Sequence, residues 1–194
     1  MSDDILITAD RIILAASELF QEKGFHPVSM KNIASQANVS EMTVFRHFSS
    51  KKQVLEAVIK KISYIPSLKE VFEGKICWDL ETDLLLISQT YQKIMADNQL
   101  AFLITLREEK TIPEISEFVH QGPPQFKSFL KDYFCLMQNK KQIAESDSES
   151  LALAFMAINF GYFFFKVRGY GMVTISDKQY LEIAIHLFVK GIKN

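Results

Sequence analysis

Apolar residues recur along most of the chain at intervals of three and four positions, the spacing that lines one face of an α-helix. Between turn signals, no stretch shows the sustained two-residue alternation that is typical of a half-buried strand. Glycines and prolines fall mainly between the periodic segments rather than within them. The pattern therefore predicts an all-α fold.

Four helices are predicted before Pro66. The first covers residues 8–23, with Thr8 as its N-cap and Gly24 as a left-handed stop. Ser29 and Ser50 are placed to cap the second and the fourth helix. The second, third and fourth predicted helices cover residues 30–37, 41–48 and 51–64. The short helices depend on mutual packing, so we expect an N-terminal three-helix domain over residues 1–50, followed by a connecting helix over 51–65.

The remainder, residues 66–194, is predicted to be a helical bundle that forms a second domain. Turn signals at Gly122-Pro123 and at residues 169–171 are expected to interrupt it. Its helices are expected over residues 83–97, 99–110, 113–121, 124–140, 148–169 and 177–192.

Residues 30–48 form the most informative segment, two short helices joined by a tight turn. The small side chain of Ala34 suits the crossing of the helices, and Asn38 tolerates the left-handed conformation that such a turn requires. Val39 and Val44 are expected to fill the angle between the helices, and Ser40 is placed to cap the second one. This arrangement predicts a DNA-binding helix-turn-helix, although simple packing of two helices is the alternative.

In such a motif the second helix enters the major groove with its N-terminal residues near base edges. If Val44 and Phe48 are buried, the exposed residues of this helix are Glu41, Met42, Thr43, Phe45, Arg46 and His47. Glutamate accepts from cytosine, threonine contacts a thymine methyl, and arginine or histidine contacts guanine or phosphate. Lys51, at the start of the next helix, offers a charge and free backbone N–H groups to a phosphate.

Charge is consistent with a confined phosphate-binding face. The whole chain carries a net charge of −1, yet residues 31–61 contain six basic and only two acidic residues. A basic segment within an otherwise acidic protein is what such a face requires, and an ordinary solvated helix surface is the equally simple alternative.

Residues 11–59 closely resemble the N-terminal domain of TetR-family regulators. The resemblance rests on Arg-Ile-Ile-Leu-Ala-Ala-Ser-Glu-Leu-Phe at residues 11–20, Val-Ser-Met-Lys-Asn-Ile-Ala at 28–34 and Thr-Val-Phe-Arg-His-Phe-Ser-Ser-Lys at 43–51. It implies a homodimer that binds a palindromic double-stranded DNA operator, usually as a repressor, and releases it when a small molecule binds. It further implies that DNA is contacted from positions Ser29, Lys31, Thr43, Phe45, His47 and Lys51.

Three positions depart from the family pattern. Asn38 and Met42 stand where glycine is usual, and Met42 adds bulk at the groove. Phe45 stands where tyrosine is usual, so it lacks a hydroxyl for a phosphate but can still contact a thymine methyl or a sugar.

The segment 148–169 is apolar almost all round, which predicts burial on every side. Part of that burial can come from a partner subunit. Together with the last predicted helix, the segment is expected to form a four-helix dimer interface, as the family resemblance implies. Such a dimer would place two recognition helices one turn of DNA apart.

An aromatic stripe lies at helical spacing over residues 126–137 and is read either as ordinary core or as the wall of a ligand cavity. A cavity there would favour a small hydrophobic or aromatic effector oriented by a few polar groups. The candidate ligand-binding residues are Gln89, Tyr91, Phe102, Phe126, Tyr133, Asn159, Tyr162 and Phe163.

Other function classes receive less support. Cys77 and Cys135 form no zinc-type or disulfide pattern, and no nucleophile motif or paired carboxylates occur at a recognisable spacing, so neither a cofactor nor a metal nor enzymatic activity is expected. The run over residues 151–165 is too short to cross a bilayer, so we expect a cytoplasmic protein without membrane contact. The alternatives are a DNA-binding regulator without a small-molecule switch, which recruits a partner protein, and a helical lipid carrier or enzyme.

Overall fold

The computed structural model describes residues 2–60, 63–108, 113–169 and 171–193. Within these ranges the chain is all-helical, as the sequence predicts. The helices are α1 (Ser2–Lys23), α2 (Met30–Gln36), α3 (Glu41–His47), α4 (Lys51–Lys60), α5 (Ile65–Gly74), α6 (Leu80–Asp97), α7 (Gln99–Glu108), α8 (Pro113–Asn139), α9 (Ser148–Arg168) and α10 (Asp177–Ile192).

The chain divides into two compact units that are not continuous in sequence. The first unit comprises residues 1–63 and 98–121, and the second comprises residues 64–97 and 122–194. Helix α7 packs on α1 and α4, and Ile104 is part of the same core as these helices. This division differs from the expected domains 1–50, 51–65 and 66–194, because the long-range packing of α7 has no local signal in the sequence.

The core of the first unit is formed by the apolar faces of α1 to α4. Ile12, Ala16 and Phe20 are fully buried on α1, at the spacing of one helical face. They pack with Ile33, Ala34, Val44, Val54, Leu55 and Val58 from the next three helices. Because α2 and α3 have only seven residues each, this shared core rather than intrinsic helix propensity holds them in place.

Several helix boundaries differ from the sequence prediction. Helix α1 begins at Ser2, so Thr8 lies inside the helix and is not its N-cap. Helix α6 begins at Leu80 rather than near Asp83, because the Asp79 carboxylate accepts a hydrogen bond from the Thr82 N–H at 3.0 Å and caps the helix earlier. Helix α4 ends at Lys60, short of the predicted residue 64.

The sequence prediction missed helix α5. Pro66, a stop signal for α4 in the sequence, occupies the first turn of a new helix, where its missing N–H would have had no intrahelical partner in any case. Leu68 and Val71 of α5 are buried, and α5 packs against α6.

The predicted interruption at Gly122-Pro123 is wrong, because α8 continues through Pro123 and Pro124 to Asn139. These prolines cannot donate the usual backbone hydrogen bonds, and their rings crowd the preceding turn. Beyond them the helix buries one complete apolar stripe, and this packing overrides the unfavourable local propensity. The buried residues of the stripe are Phe126, Leu130, Tyr133, Phe134 and Met137.

Helices α9 and α10 pack against each other and against α6. The rings of Tyr162 and Tyr180 stack with centroids 3.8 Å apart, and those of Phe155 and Phe188 meet at 5.8 Å. Within the described part of the chain, α9 is also the one helix with the length and hydropathy to span a bilayer, a test that core helices of soluble proteins pass as well.

The predicted burial of α9 on every side is not complete in this single chain. One stripe of each of the two helices remains exposed. Its residues are Leu153, Phe160 and Phe164 on α9 and Ile183 and Leu187 on α10.

Candidate DNA-binding surface and effector cavity

The turn between α2 and α3 has the geometry that a helix-turn-helix requires. Asn38 adopts a left-handed conformation with φ of 53°, and the Val39 N–H donates a hydrogen bond to the Ala34 carbonyl at 3.0 Å. Arg11 on α1 donates to the carbonyls of Ala37 at 2.6 Å and Asn38 at 3.2 Å. The conformation of the turn is therefore stabilised by a hydrogen bond within the motif and by two hydrogen bonds from Arg11 on α1.

Serine side chains cap the helices of this motif, as the sequence predicts. The Ser29 hydroxyl accepts from the Asn32 N–H at 3.1 Å, while the Asn32 side chain accepts from the Ser29 N–H at 2.9 Å. The Ser40 hydroxyl accepts from the Thr43 N–H at 3.0 Å and so caps α3. Such caps each stabilise a helix by about 1 kcal/mol, which matters for helices of two turns.

Four of the predicted recognition residues form an outward face on α3. Glu41, Met42, Phe45 and Arg46 are exposed, and Met42 is exposed to 82% and Phe45 to 48%. Met42 and Phe45 therefore give this face an apolar part that is open to contact. We call these four residues the α3 face. Ser29 and Lys31, at the start of α2, are exposed as well.

Thr43 and His47, also predicted to be exposed, are half-buried. The Thr43 hydroxyl lies 2.8 Å from the Ser40 hydroxyl and is therefore engaged in the cap of α3. The Nε2 atom of His47 is enclosed and has no hydrogen-bond partner among the described residues. Val44 inserts into the core and so fixes the orientation of α3 about its axis. In this orientation the neighbouring Thr43 and His47 are partly buried.

The Lys51 ammonium group is hydrogen-bonded within the protein, an engagement that the sequence did not predict. Its Nζ donates to the carbonyls of Phe25 at 2.9 Å, His26 at 3.0 Å and Val28 at 2.8 Å, and lies 4.3 Å from the centre of the Phe25 ring. Burial lowers the pKa of Lys51. These hydrogen bonds connect the start of α4 to the loop between α1 and α2.

The second unit contains a cavity of about 250 Å³. It is lined mainly by aromatic side chains from α6, α8 and α9 and from the residue before α5. The lining residues are Tyr64, Tyr91, Pro123, Phe126, Met156 and Phe160, and we call this space the effector cavity.

Comparison with known sequences decides the family. A profile described as bacterial regulatory proteins of the tetR family matches residues 12–58. The chain is also 34% identical over 187 residues to the uncharacterised HTH-type transcriptional regulator YvkB of Bacillus subtilis, covering 95% of this chain and 97% of that protein. This chain belongs to the TetR family. It is thus a transcriptional regulator with a DNA-binding helix-turn-helix, as its sequence motifs predict.

Solved structures of other transcriptional regulators share the fold of this chain. A transcriptional regulator from Saccharomonospora viridis, solved in complex with choline, superimposes with a TM-score of 0.76 at 20% identity, over 100% of both chains. NalD, the secondary repressor of the MexAB-OprM efflux pump in Pseudomonas aeruginosa, gives a TM-score of 0.75 at 19% identity over 98% of both chains. At such identities the likeness shows the fold of this TetR-family chain and not its ligand.

Of the eight residues predicted to bind a ligand, Tyr91 and Phe126 line the effector cavity. Gln89 is exposed on α6, and Phe102 belongs to the first unit. Helical spacing alone could not separate these positions, because it does not tell which face of a helix meets which neighbour. Phe163 is a core residue, fully buried on α9.

The remaining three predicted residues are engaged within the protein. The Tyr133 hydroxyl donates to the buried Asp83 carboxylate at 3.0 Å, and the Tyr162 hydroxyl donates to Asp177 at 2.8 Å. Asn159 is buried, and its side-chain amide donates to the Phe155 carbonyl at 3.0 Å. None of the three is among the residues that line the effector cavity.

Four of the lining residues were not predicted from the sequence. Tyr64 and Pro123 stand at predicted helix ends, where a turn signal hides any role of the side chain. Met156 and Phe160 are four residues apart on α9, and this spacing on one helical face was the available signal. Arg11, which holds the turn of the helix-turn-helix, was also missed, because its partners lie 26 and 27 residues away.

A buried polar cluster lies where α6 packs on α9. Gln92 donates from its side-chain amide to the Asn159 carbonyl at 2.8 Å. The side-chain oxygens of Ser88, Gln92 and Asn159 are enclosed and have no hydrogen-bond partner within the described ranges. Oxygens in this state are acceptors that a buried donor would satisfy.

Proposed function

We propose that this TetR-family protein is a cytoplasmic, homodimeric repressor that binds a palindromic operator and releases it when a small apolar effector occupies the effector cavity. The observation that carries the proposal is the α3 face, which is exposed on a helix held rigidly by Arg11, Asn38 and the Ser40 cap. A pre-organised helix with an exposed face is what insertion into a major groove requires.

The chemistry of the α3 face supports direct contact with bases. Arg46 can donate two hydrogen bonds to guanine, and Glu41 can accept one from the amino group of cytosine. Met42 and Phe45 offer apolar contact to thymine methyl groups. We assign Ser29 and Lys31, which are exposed at the start of α2, to phosphate contacts.

The exposed apolar stripe on α9 and α10 supports the homodimer. Ile183 and Leu187 lie one helical turn apart on α10 and are each exposed to 62%. Leu153, Phe160 and Phe164 continue the apolar surface on α9. A second copy related by twofold symmetry would cover both stripes at once and form a four-helix interface. The same symmetry makes the operator an inverted repeat.

The effector cavity supports the switch. It lies in a unit separate from the helix-turn-helix, so a compound bound there acts on DNA binding by favouring one conformation of the protein over another. Its apolar lining favours a small apolar compound. The repressor NalD, which has the same fold, is an example of the negative regulation proposed for this chain.

The decisive experiment selects bound sequences from random duplex DNA with the purified protein. We expect enrichment of an inverted repeat whose half-sites are separated by about one turn of DNA, roughly 34–36 Å. Arg46→Ala should then weaken binding of the selected operator about 10-fold or more and relax the base preference at one position of each half-site.

Lys93→Ala, which removes an exposed positive charge from α6 in the other unit, is the matched control and should leave operator affinity unchanged. Enrichment of a single unrepeated element would contradict the dimer on a palindrome. If Arg46→Ala behaved like the control, the assignment of the α3 face to base contacts would be wrong.

A further inference from the structure

The lining of the effector cavity carries no charged side chain. Its six described residues are four aromatic ones, a methionine and a proline. An ion that enters such a lining loses its hydration without gaining an opposite charge, and this transfer is strongly unfavourable. The lining therefore selects against carboxylates, phosphates and ammonium compounds.

The aromatic residues do not form a cage for a cation. Tyr91 and Phe126 stack on each other, with centroids 5.7 Å apart and planes inclined by only 13°. Tyr64 meets both of them edge-on, at 5.0 Å from Tyr91 and 5.8 Å from Phe126. Cation binding uses the faces of several rings arranged around one point, whereas here two rings lie nearly parallel and the third meets them with its edge. The three rings form an aromatic wall, and a flat compound can stack on an outer ring face of this wall.

Two of the lining residues, Tyr64 and Tyr91, carry a hydroxyl group. Tyr64 and Tyr91 line the cavity, and neither hydroxyl makes a hydrogen bond to a residue within the described ranges. Tyr91 is only 4% exposed. Burial raises the pKa of Tyr64 to about 12, and burial together with the neighbouring Tyr64 raises the pKa of Tyr91 as well. Both phenols thus stay protonated and retain an O–H donor.

The Tyr64 hydroxyl lies close to the turn of α8 that contributes Pro123 to the lining. A Cβ atom added at Gly122 would stand 3.3 Å from this oxygen, so the glycine leaves room for the hydroxyl. A cavity of about 250 Å³ is slightly smaller than the usual ligand pocket of ~300–1,000 Å³. This volume fits a compound of one or two rings rather than a long acyl chain.

We infer that the effector is an uncharged, planar compound of about two fused rings that offers an acceptor oxygen to the hydroxyl of Tyr91. Its flat face stacks on the aromatic wall, and the acceptor satisfies a donor that would otherwise be covered without a partner. The inference rests on the proposed function, because it specifies the chemistry of the effector assigned to this cavity.

The test measures the affinity of the full-length protein, without DNA, for four compounds of matched shape by isothermal titration calorimetry. Coumarin is neutral and has a carbonyl acceptor, naphthalene is neutral without an acceptor, 2-naphthoate carries a negative charge and N-methylquinolinium carries a positive one. We expect coumarin to bind most tightly and naphthalene about fivefold more weakly, the loss of one hydrogen bond. The two ions should bind at least 10-fold more weakly than coumarin.

Tyr91→Phe separates the hydrogen bond from the packing, because it removes the hydroxyl and keeps the ring. The variant should bind coumarin about fivefold more weakly and naphthalene unchanged. Tyr180→Phe, which removes a hydroxyl of the same unit outside the cavity lining, is the matched control and should bind both compounds like the parent protein. Circular dichroism checks that both variants keep the parent helix content.

Tightest binding of N-methylquinolinium or of 2-naphthoate would overturn the inference, and so would a set in which no compound binds. An equal loss of coumarin and naphthalene affinity in Tyr91→Phe would also overturn it. The switch itself is tested separately, by adding coumarin to the protein on its selected operator. Binding of coumarin without release of DNA would contradict the proposed switch and leave the chemistry of the cavity in place.

Discussion

Two lysines of the N-terminal unit illustrate how differently the same side chain can be used. Lys31 is exposed at the start of α2, whereas the Lys51 ammonium is held by three backbone carbonyls and the Phe25 ring. The family resemblance assigns both positions to DNA. Because only the Lys51 ammonium has partners of this kind within the protein, we expect stability and DNA binding to be separable at these two positions.

Replacing Lys51 by Met should lower the free energy of unfolding by about 2 kcal/mol, because the variant cannot make the hydrogen bonds from a charged donor to three carbonyls. Urea denaturation followed by circular dichroism measures this change. The slope of operator affinity against salt concentration should stay the same, since no phosphate partner is removed.

Lys31→Ala is the matched comparison and should show the opposite behaviour. Stability should change little, while the slope of log affinity against log salt becomes shallower by about 0.9 for each phosphate that the variant no longer neutralises. If Lys51→Met, rather than Lys31→Ala, flattened the salt dependence, then Lys51 would leave its carbonyl partners in the DNA complex.

The sequence could predict which residues belong to the DNA-binding motif but not how each side chain is engaged. Ser29 and Ser40 were predictable as caps, because a cap acts on residues three positions away. The partners of Lys51 lie 23 to 26 residues away. Nothing local distinguishes such a lysine from a solvated one.

At the level of elements, the turn between α2 and α3 is the point at which a single residue sets the geometry. Asn38 has a φ of 53°, a conformation that asparagine tolerates and β-branched residues avoid. Its carbonyl also accepts from Arg11, so the left-handed conformation positions both helices of the motif.

Asn38→Val should destabilise the protein by about 1–2 kcal/mol, since a β-branched side chain clashes in the left-handed region. Asn38→Gly is the control: it adopts the same φ without strain and should match the parent protein in thermal unfolding. Equal melting temperatures for the valine and glycine variants would show that the turn does not hold this conformation in solution.

Elements with strong local signals were predicted well. The pattern of α9 and α10 predicts their bounds to within one residue, because caps and glycines mark their ends. Helix α5 was not predicted, and α8 was predicted as two helices, because the prolines in both segments are local signals for a helix end. Prolines mark helix ends reliably only where packing does not favour a continuous helix. In α8 the packing of five buried side chains beyond Pro124 favours the continuous helix.

For the molecule as a whole, the all-helical class and the helix-turn-helix were predictable, whereas the division into units was not. Ile104 of α7 is buried in the first unit although its sequence neighbours on α6 belong to the second. Assignments of this kind depend on long-range packing, which leaves no periodic signal. The effector cavity could be predicted only in part for the same reason, since Tyr64, Tyr91 and Met156 come from separate segments.

The exposed stripe on α9 and α10 makes a prediction about assembly. Ile183→Lys combined with Leu187→Lys places two charges per subunit in the proposed interface, where they would be desolvated without partners. We expect light scattering after gel filtration to give the mass of a monomer of 22.3 kDa, with helix content unchanged. Operator affinity should fall more than ~100-fold, because a monomer binds one half-site only.

Leu136→Lys is the control for this variant, because it puts one lysine on another exposed apolar residue of the second unit, 46% exposed on α8 and outside the proposed interface. It should leave both the mass and the affinity as in the parent protein. A monomeric parent protein with full operator affinity would contradict the proposed dimer.

The proline pair in α8 has a mechanical consequence. Since Pro123 and Pro124 have no N–H, the carbonyl oxygens of Val119 and His120 receive no helical hydrogen bond from them, and bending α8 at this turn disrupts fewer backbone hydrogen bonds than bending it elsewhere. The same turn carries Pro123, which lines the effector cavity, so a bound compound that touches this ring would contact α8 where two of its backbone hydrogen bonds are missing.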